Sequence, residues 1–147
     1  MAATTRYPET KILRQVGVGP IVAMAYALTV GDPKRFRRSR DAGAWVGLTP
    51  DKRSFGDSDP QLHIHKRGDG YLRRLLVVAA HYILGPFGKD SDLRRHGLRL
   101  CERGARNGKK RAVCAVARKL AVLLHRLWVS GAVYEPLRNS TTKVESV

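Results

Sequence analysis

Acid is scarce in this sequence. Twelve Asp and Glu stand against 28 Lys and Arg in 147 residues, a formal net charge of +16 with a pI near 10.8. Such an excess repels itself in isolation, which points to a polyanionic partner: nucleic acid first, an anionic membrane surface second. Long apolar runs are missing too. The two most apolar stretches, Pro20 to Val30 and Leu120 to Val129, fall well short of a bilayer span, and the second contains His125 and Arg126, so membrane insertion is excluded. Met1 to Lys11 holds Thr, Arg, Pro and Glu where a signal peptide needs an apolar core, so a cytoplasmic protein is expected. Cysteine is reduced to Cys101 and Cys114, each in a basic stretch with no second Cys or His at metal-ligand spacing. Both are read as reduced packing residues.

What is present reads mostly as helix. The length suits one domain, residues 1–137, with a flexible polar tail over 138–147. A first helix is expected over Glu9 to Val16, stopped by Gly17, and a second opens at Pro20 with Ile21, Val22, Met24, Ala25 and Leu28 on its buried face. Asp32-Pro33 reads as a cap and first helical residue before the cluster Lys34, Arg35, Arg37, Arg38 and Arg40. Ser39 is a candidate cap for a short helix carrying Ala42, Trp45 and Val46. From Gly47 to Gly68 neither helical nor strand periodicity persists, which predicts a long loop with at most a short strand or hairpin near Leu62 to His65. Helices follow over Tyr71 to Leu84, with Leu72, Leu75, Leu76, Ala79 and Ile83 inward, from Asp90-Ser91-Asp92 to Arg103, and over Lys109 to Ser130. The fold class is therefore all-α or nearly so: a helical bundle with an N-terminal hairpin of two helices and a long loop.

Four features could carry chemistry. Gly17-Val18-Gly19-Pro20 sets backbone N–H groups at the mouth of a helix, where the dipole suits a phosphate oxygen. The stretch Ile12 to Ala27 resembles a helix-hairpin-helix, a module that grips the DNA backbone without reading sequence; an ordinary tight turn is the plain alternative. On the long helix Arg111, Arg118 and His125 fall seven apart, as do Lys119 and Arg126, so a basic stripe facing phosphates is expected, against the bland reading of a solvated face. His63-Ile64-His65 puts two imidazoles on one face of an extended segment. No third metal ligand is evident unless Asp57 or Asp59 joins, and a polar strand face explains the pair as well. Ser54 and Ser58 lie in the long loop among Arg53, Lys66 and Arg67, whose charges suit an attacked phosphodiester. Loop serines are otherwise commonplace.

Read together, Tyr7-Pro8-Glu9-Thr10, Gly17-Val18-Gly19-Pro20, Gly31-Asp32-Pro33 through Phe36, Val46-Gly47-Leu48-Thr49-Pro50, Lys66-Arg67-Gly68-Asp69, Tyr71-Leu72-Arg73 and Val116-Ala117-Arg118-Lys119-Leu120-Ala121 resemble the insertion-sequence transposase family of IS110 and IS116. The resemblance runs from Tyr7 to Arg138 in the family's order and at close to its spacing. It implies a carboxy-terminal helical domain that supplies a serine nucleophile. In intact members an amino-terminal acidic domain of ribonuclease-H-like fold carries a DEDD metal site. Those carboxylates have no counterpart here, so Mg²⁺ is expected in that other domain, no cofactor in this chain, and a truncated or fragmentary gene is the simplest account.

The resemblance further implies that the serine attacks a DNA phosphodiester and becomes linked to it before the ends are rejoined elsewhere. The family's serine stands directly before a glycine. Here Phe55 precedes Gly56 and Ser54 stands one residue early, so Ser54 is the candidate nucleophile in a loop altered at that point. The hairpin before Val18-Gly19-Pro20 is one residue shorter than the family's. Both departures weaken the case for full activity, and with the acidic metal site missing as well, a chain that binds DNA but is inactive alone is expected. Some members are directed by a structured RNA, which adds RNA to the partners the resemblance implies, and self-association into a homo-oligomer stays open. Two rivals remain: a stand-alone, non-specific nucleic-acid-binding module, and a basic RNA-associated structural protein, against which the family pattern argues.

Overall fold

A computed structural model of the chain describes residues 9–48, 70–104 and 106–138. Six α-helices occupy them: α1 (Glu9–Arg14), α2 (Pro20–Val30), α3 (Ser39–Trp45), α4 (Gly70–Leu84), α5 (Asp92–Arg103) and α6 (Gly108–Ser130). A 3₁₀ turn, Pro33–Arg35, links α2 to α3. No strand occurs among the described residues, so the all-α expectation holds. The expected strand or hairpin near Leu62 to His65 and the tail beyond Arg138 lie outside them.

The chain's starts and stops follow from its capping chemistry. Pro20 opens α2, where its missing N–H costs nothing. Ser91 caps α5 by accepting a 3.0 Å bond from the Arg94 N–H. Gly131, left-handed at φ 67°, closes α6. Two expectations need correction. Helix α1 ends at Arg14 rather than Val16, because its last turn tightens into Gln15 N–H to Ile12 and Gly17 N–H to Arg14 carbonyl bonds before Gly17 turns at φ 94°. Ser39 is the first helical residue of α3, not its cap; Asp41 instead accepts from the Arg38 N–H and the Ser39 hydroxyl is engaged elsewhere.

Helix α6 is the axis of the bundle, and α5, α4, α3, α1 and the 3₁₀ turn all pack on it. Its inner side, Val113, Val116, Ala117, Leu120, Ala121 and Leu124, meets Leu13 from α1, Tyr26 and Val30 from α2, Val46, and Leu72 and Leu76 from α4. Each such valine or leucine side chain removed from water contributes roughly 1.5–3 kcal/mol.

The buried face of α2 is not the expected one. Ala23, Tyr26, Ala27 and Val30 face the core, whereas Ile21 and Leu28 are exposed. The two alanines allow close approach, and the Tyr26 hydroxyl donates a 2.7 Å bond to the Ala121 carbonyl of α6. On α4 the inward residues are Leu72, Leu76 and Ala80, with Leu75, Ala79 and Ile83 only partly covered. Cys114 is exposed and Cys101 partly buried, both free, so only Cys101 packs as expected.

Candidate nucleic-acid interface

Around the Gly17–Pro20 turn, Val18 is buried and anchors the hairpin while Gly17 and Gly19 are exposed. Gly17 is required by its positive φ. Gly19 is not: its backbone is extended, and a Cβ built there meets nothing within 4 Å. Space therefore lies open in front of the α2 N-terminus, whose first turn holds neither an acidic residue nor a side-chain cap.

The basic segment after α2 is held down firmly. His125 lies buried in α6 with both ring nitrogens engaged. Nε2 stands 2.7 Å from the Pro33 carbonyl, which can only accept, so Nε2 carries the proton; in the neutral ring Nδ1 then accepts from the Ser39 hydroxyl at 2.8 Å. Phe36 meets the imidazole edge-on at 5.5 Å. Arg35 lies over Trp45, 4.7 Å from its centroid, and donates to the Val30 carbonyl. Lys34, Arg37 and Arg40 stay exposed on this braced segment.

This placement corrects the expected stripe on α6. Arg111 is exposed, Arg118 half-buried and His125 buried. Residues seven apart drift by about 20° per heptad on a straight helix, so two heptads carry position 125 round into the core. The methylenes of Arg118 lie beside α3, since a Cβ built at Gly43 would come 2.9 Å from Arg118 Cγ. Lys119 and Arg126 are exposed as expected.

Sequence reasoning missed a second cationic group. His96, Arg99 and Arg103 follow one another on a side of α5 at helical spacing, and α5 packs closely on α6. Burial lowers the His96 pKa below its ordinary 6.5, and Lys119, Arg99, Arg118 and Arg103 lower it further. Two helices thus bring four cations to one imidazole. The heptad rule found only the α6 pair, because nothing within α6 reveals what α5 adds across the interface.

Not every cation is free for a ligand. Arg94 donates from Nη1 to the carbonyls of Ile83 at 2.7 Å and Gly85 at 2.6 Å, closing the C-terminus of α4, and Arg73 donates to the Val46 carbonyl. Arg95 pairs with Asp90 at 2.7 Å, which holds the exposed Asp90 carboxyl below its usual range. Arg53, Ser54, Ser58, Lys66 and Arg67 lie outside the described residues, as do His63, His65, Asp57 and Asp59. Among the described residues no group of three His, Cys, Asp or Glu is placed to hold a metal ion, and no helix is long and apolar enough to cross a membrane.

The profile of the family described as "Transposase IS116/IS110/IS902 family" matches residues 10–86, a little over half of the chain. The chain is 35% identical over 86% of its length to a Pseudomonas aeruginosa protein named a probable family 20 transposase, covering 37% of that protein. It is also 35% identical, over 80% of its length, to the transposase for insertion sequence element IS1111A of Coxiella burnetii, of which it covers 32%. To the transposase for insertion sequence element IS1328 of Yersinia enterocolitica it is 34% identical over 84% of its length and 36% of that protein. It spans about a third of the length of these curated relatives. No solved structure matches the chain.

Proposed function

Because the chain belongs to the IS116/IS110/IS902 transposase family, we propose that it is the carboxy-terminal, serine-bearing helical part of such an enzyme and that it grips duplex DNA through the phosphate backbone. The observation that carries this reading is the charge. From Arg103 to Tyr134 no Asp or Glu interrupts the basic residues, and Arg111, Lys119 and Arg126 stand exposed on α6. A fixed cationic ridge without acid gains most of its affinity by releasing counterions, which makes binding strong and nearly indifferent to sequence. The open space before Gly19 adds a second point of support, where backbone N–H groups and the α2 dipole suit a phosphate. The same chemistry would hold a structured RNA, the partner some family members use.

The chemistry assigned to the described residues is binding and orientation of the backbone.

Titrating duplex DNA at rising salt tests the reading. Affinity is expected to fall by about 10³-fold or more between roughly 50 and 200 mM salt if six or more phosphates are met. Arg111→Ala with Lys119→Ala reduces the slope of log K against log salt by about 2, alike for all sequences. Gly19→Glu, which places a carboxylate in open space, weakens binding while leaving the fold intact. Affinity that barely changes with salt would refute the proposal.

A further inference from the structure

The contact between α5 and α6 gathers charge where a lone helix could not. Gly97 makes this possible: it is buried, and a Cβ there would lie 2.6 Å from Val116 Cγ2 of α6 and 2.5 Å from Leu84 Cδ2 of α4. Without a side chain at 97 the two helices approach closely. His96, the next residue, is thereby brought within the field of Arg118 and Lys119 from α6, while Arg99 and Arg103 follow it along α5. Helix α4 brings apolar Leu84 to the same contact. Arg99, Arg103 and Lys119 are exposed and Arg118 and His96 are half-covered, so the group faces outward around a partly desolvated imidazole.

A protein gains nothing in stability from crowding cations on an imidazole. The arrangement disfavours the charged ring and raises the self-repulsion of a chain already at +16. An anion placed among the same groups reverses both effects, and a phosphodiester carries that charge on oxygens able to accept from guanidinium, ammonium and imidazolium donors together. We propose that the α5–α6 face around His96 is a cradle for the phosphate backbone of duplex DNA, held by Arg99, Arg103, Arg118 and Lys119, and that His96 takes up a proton when the cradle is filled. This rests on the DNA-binding reading and gives it a place and a pH dependence.

The sign follows from linkage. In the free protein burial and the surrounding cations hold the His96 pKa below its ordinary value, which disfavours the charged ring. Bound phosphate offsets those cations, raises the pKa and favours the protonated ring, so binding strengthens as pH falls. A rise of about one unit makes the limiting low-pH affinity about tenfold tighter than the high-pH one.

The 147-residue chain labelled in histidine, titrated with pH by NMR alone and with saturating duplex DNA, tests the proposal. The His96 imidazole is expected to titrate about one unit higher with DNA. His96→Gln removes most of the pH dependence of affinity while the salt dependence remains. Arg99→Ala with Arg103→Ala, both at exposed positions, abolishes the DNA-induced rise, whereas the charge-matched Lys34→Ala with Arg37→Ala preserves it. DNA that binds and shifts other resonances while His96 titrates unchanged overturns the cradle and leaves the DNA-binding reading standing. Equal loss of the rise in both double variants assigns it to total charge and overturns the cradle too. Absence of any DNA-induced shift overturns both.

Discussion

His125 and Tyr26 show how a polar side chain inside this core acts as a fastener. The Tyr26 hydroxyl ties α2 to α6 through the Ala121 carbonyl, and burial pushes its pKa well above the ordinary tyrosine value. His125 ties α6 to two points on the basic segment, Pro33 and Ser39. Ser39→Ala removes one bond and is expected to cost about 1 kcal/mol. His125→Ala removes both, strands the Pro33 carbonyl and opens a void beside Phe36, so the expected loss is about 2–4 kcal/mol. Urea unfolding of the two variants measures the difference, and equal losses would show that the serine bond carries all of it. A heptad reading placed His125 on the surface because spacing alone assigns no weight to what packs beside a residue. Its neighbours Ala121 and Leu124 belong to the core, and that was the available signal.

Helices in this chain announce where they begin more clearly than which way they face. Pro20, Ser91 and Gly131 were legible because capping is local chemistry, written within a few residues of each boundary. The face of α2 was not legible, since PIVAMAYALTV is apolar on every side and periodicity then carries no direction. The crossing of α5 over α6 was equally hidden, because it depends on the absence of a side chain at Gly97. Alanine is about 1 kcal/mol better than glycine in a helix, yet at 97 its Cβ would overlap both Leu84 and Val116. Overpacking of that kind costs about 1–3 kcal/mol, so Gly97→Ala is expected to be net destabilising. Gly43→Ala meets Arg118 Cγ at 2.9 Å and Val122 Cγ2 at 3.2 Å, and the arginine stem can swing aside. It should therefore be the milder change. Thermal unfolding of both variants decides the order, and a stabilised Gly97→Ala protein would mean that the helices separate freely.

At the scale of the whole molecule, binding and strand chemistry make different demands on the sequence. Binding needs only fixed positive charge, and a bundle centred on α6 supplies it on several exposed edges. Transfer of a phosphodiester needs a nucleophile held near attack distance and the developing charge neutralised. The residue before Gly56, where the family resemblance expects the serine, is Phe55, which has no nucleophilic atom, and Ser54 is displaced by one position. Even a shift of about 1 Å in a reacting group can cost 10²-fold in rate. The 147-residue chain by itself is therefore expected to bind supercoiled DNA without nicking it in the presence of Mg²⁺, and to form no covalent adduct that survives denaturation. An adduct that disappears in Ser54→Ala would overturn this and show that the nucleophile works one position early. Supplying an acidic ribonuclease-H-like domain in trans distinguishes a loop that works once such a domain is present from one that has lost the reaction. An adduct restored by that domain and removed by Ser54→Ala identifies the former, and continued binding without an adduct the latter.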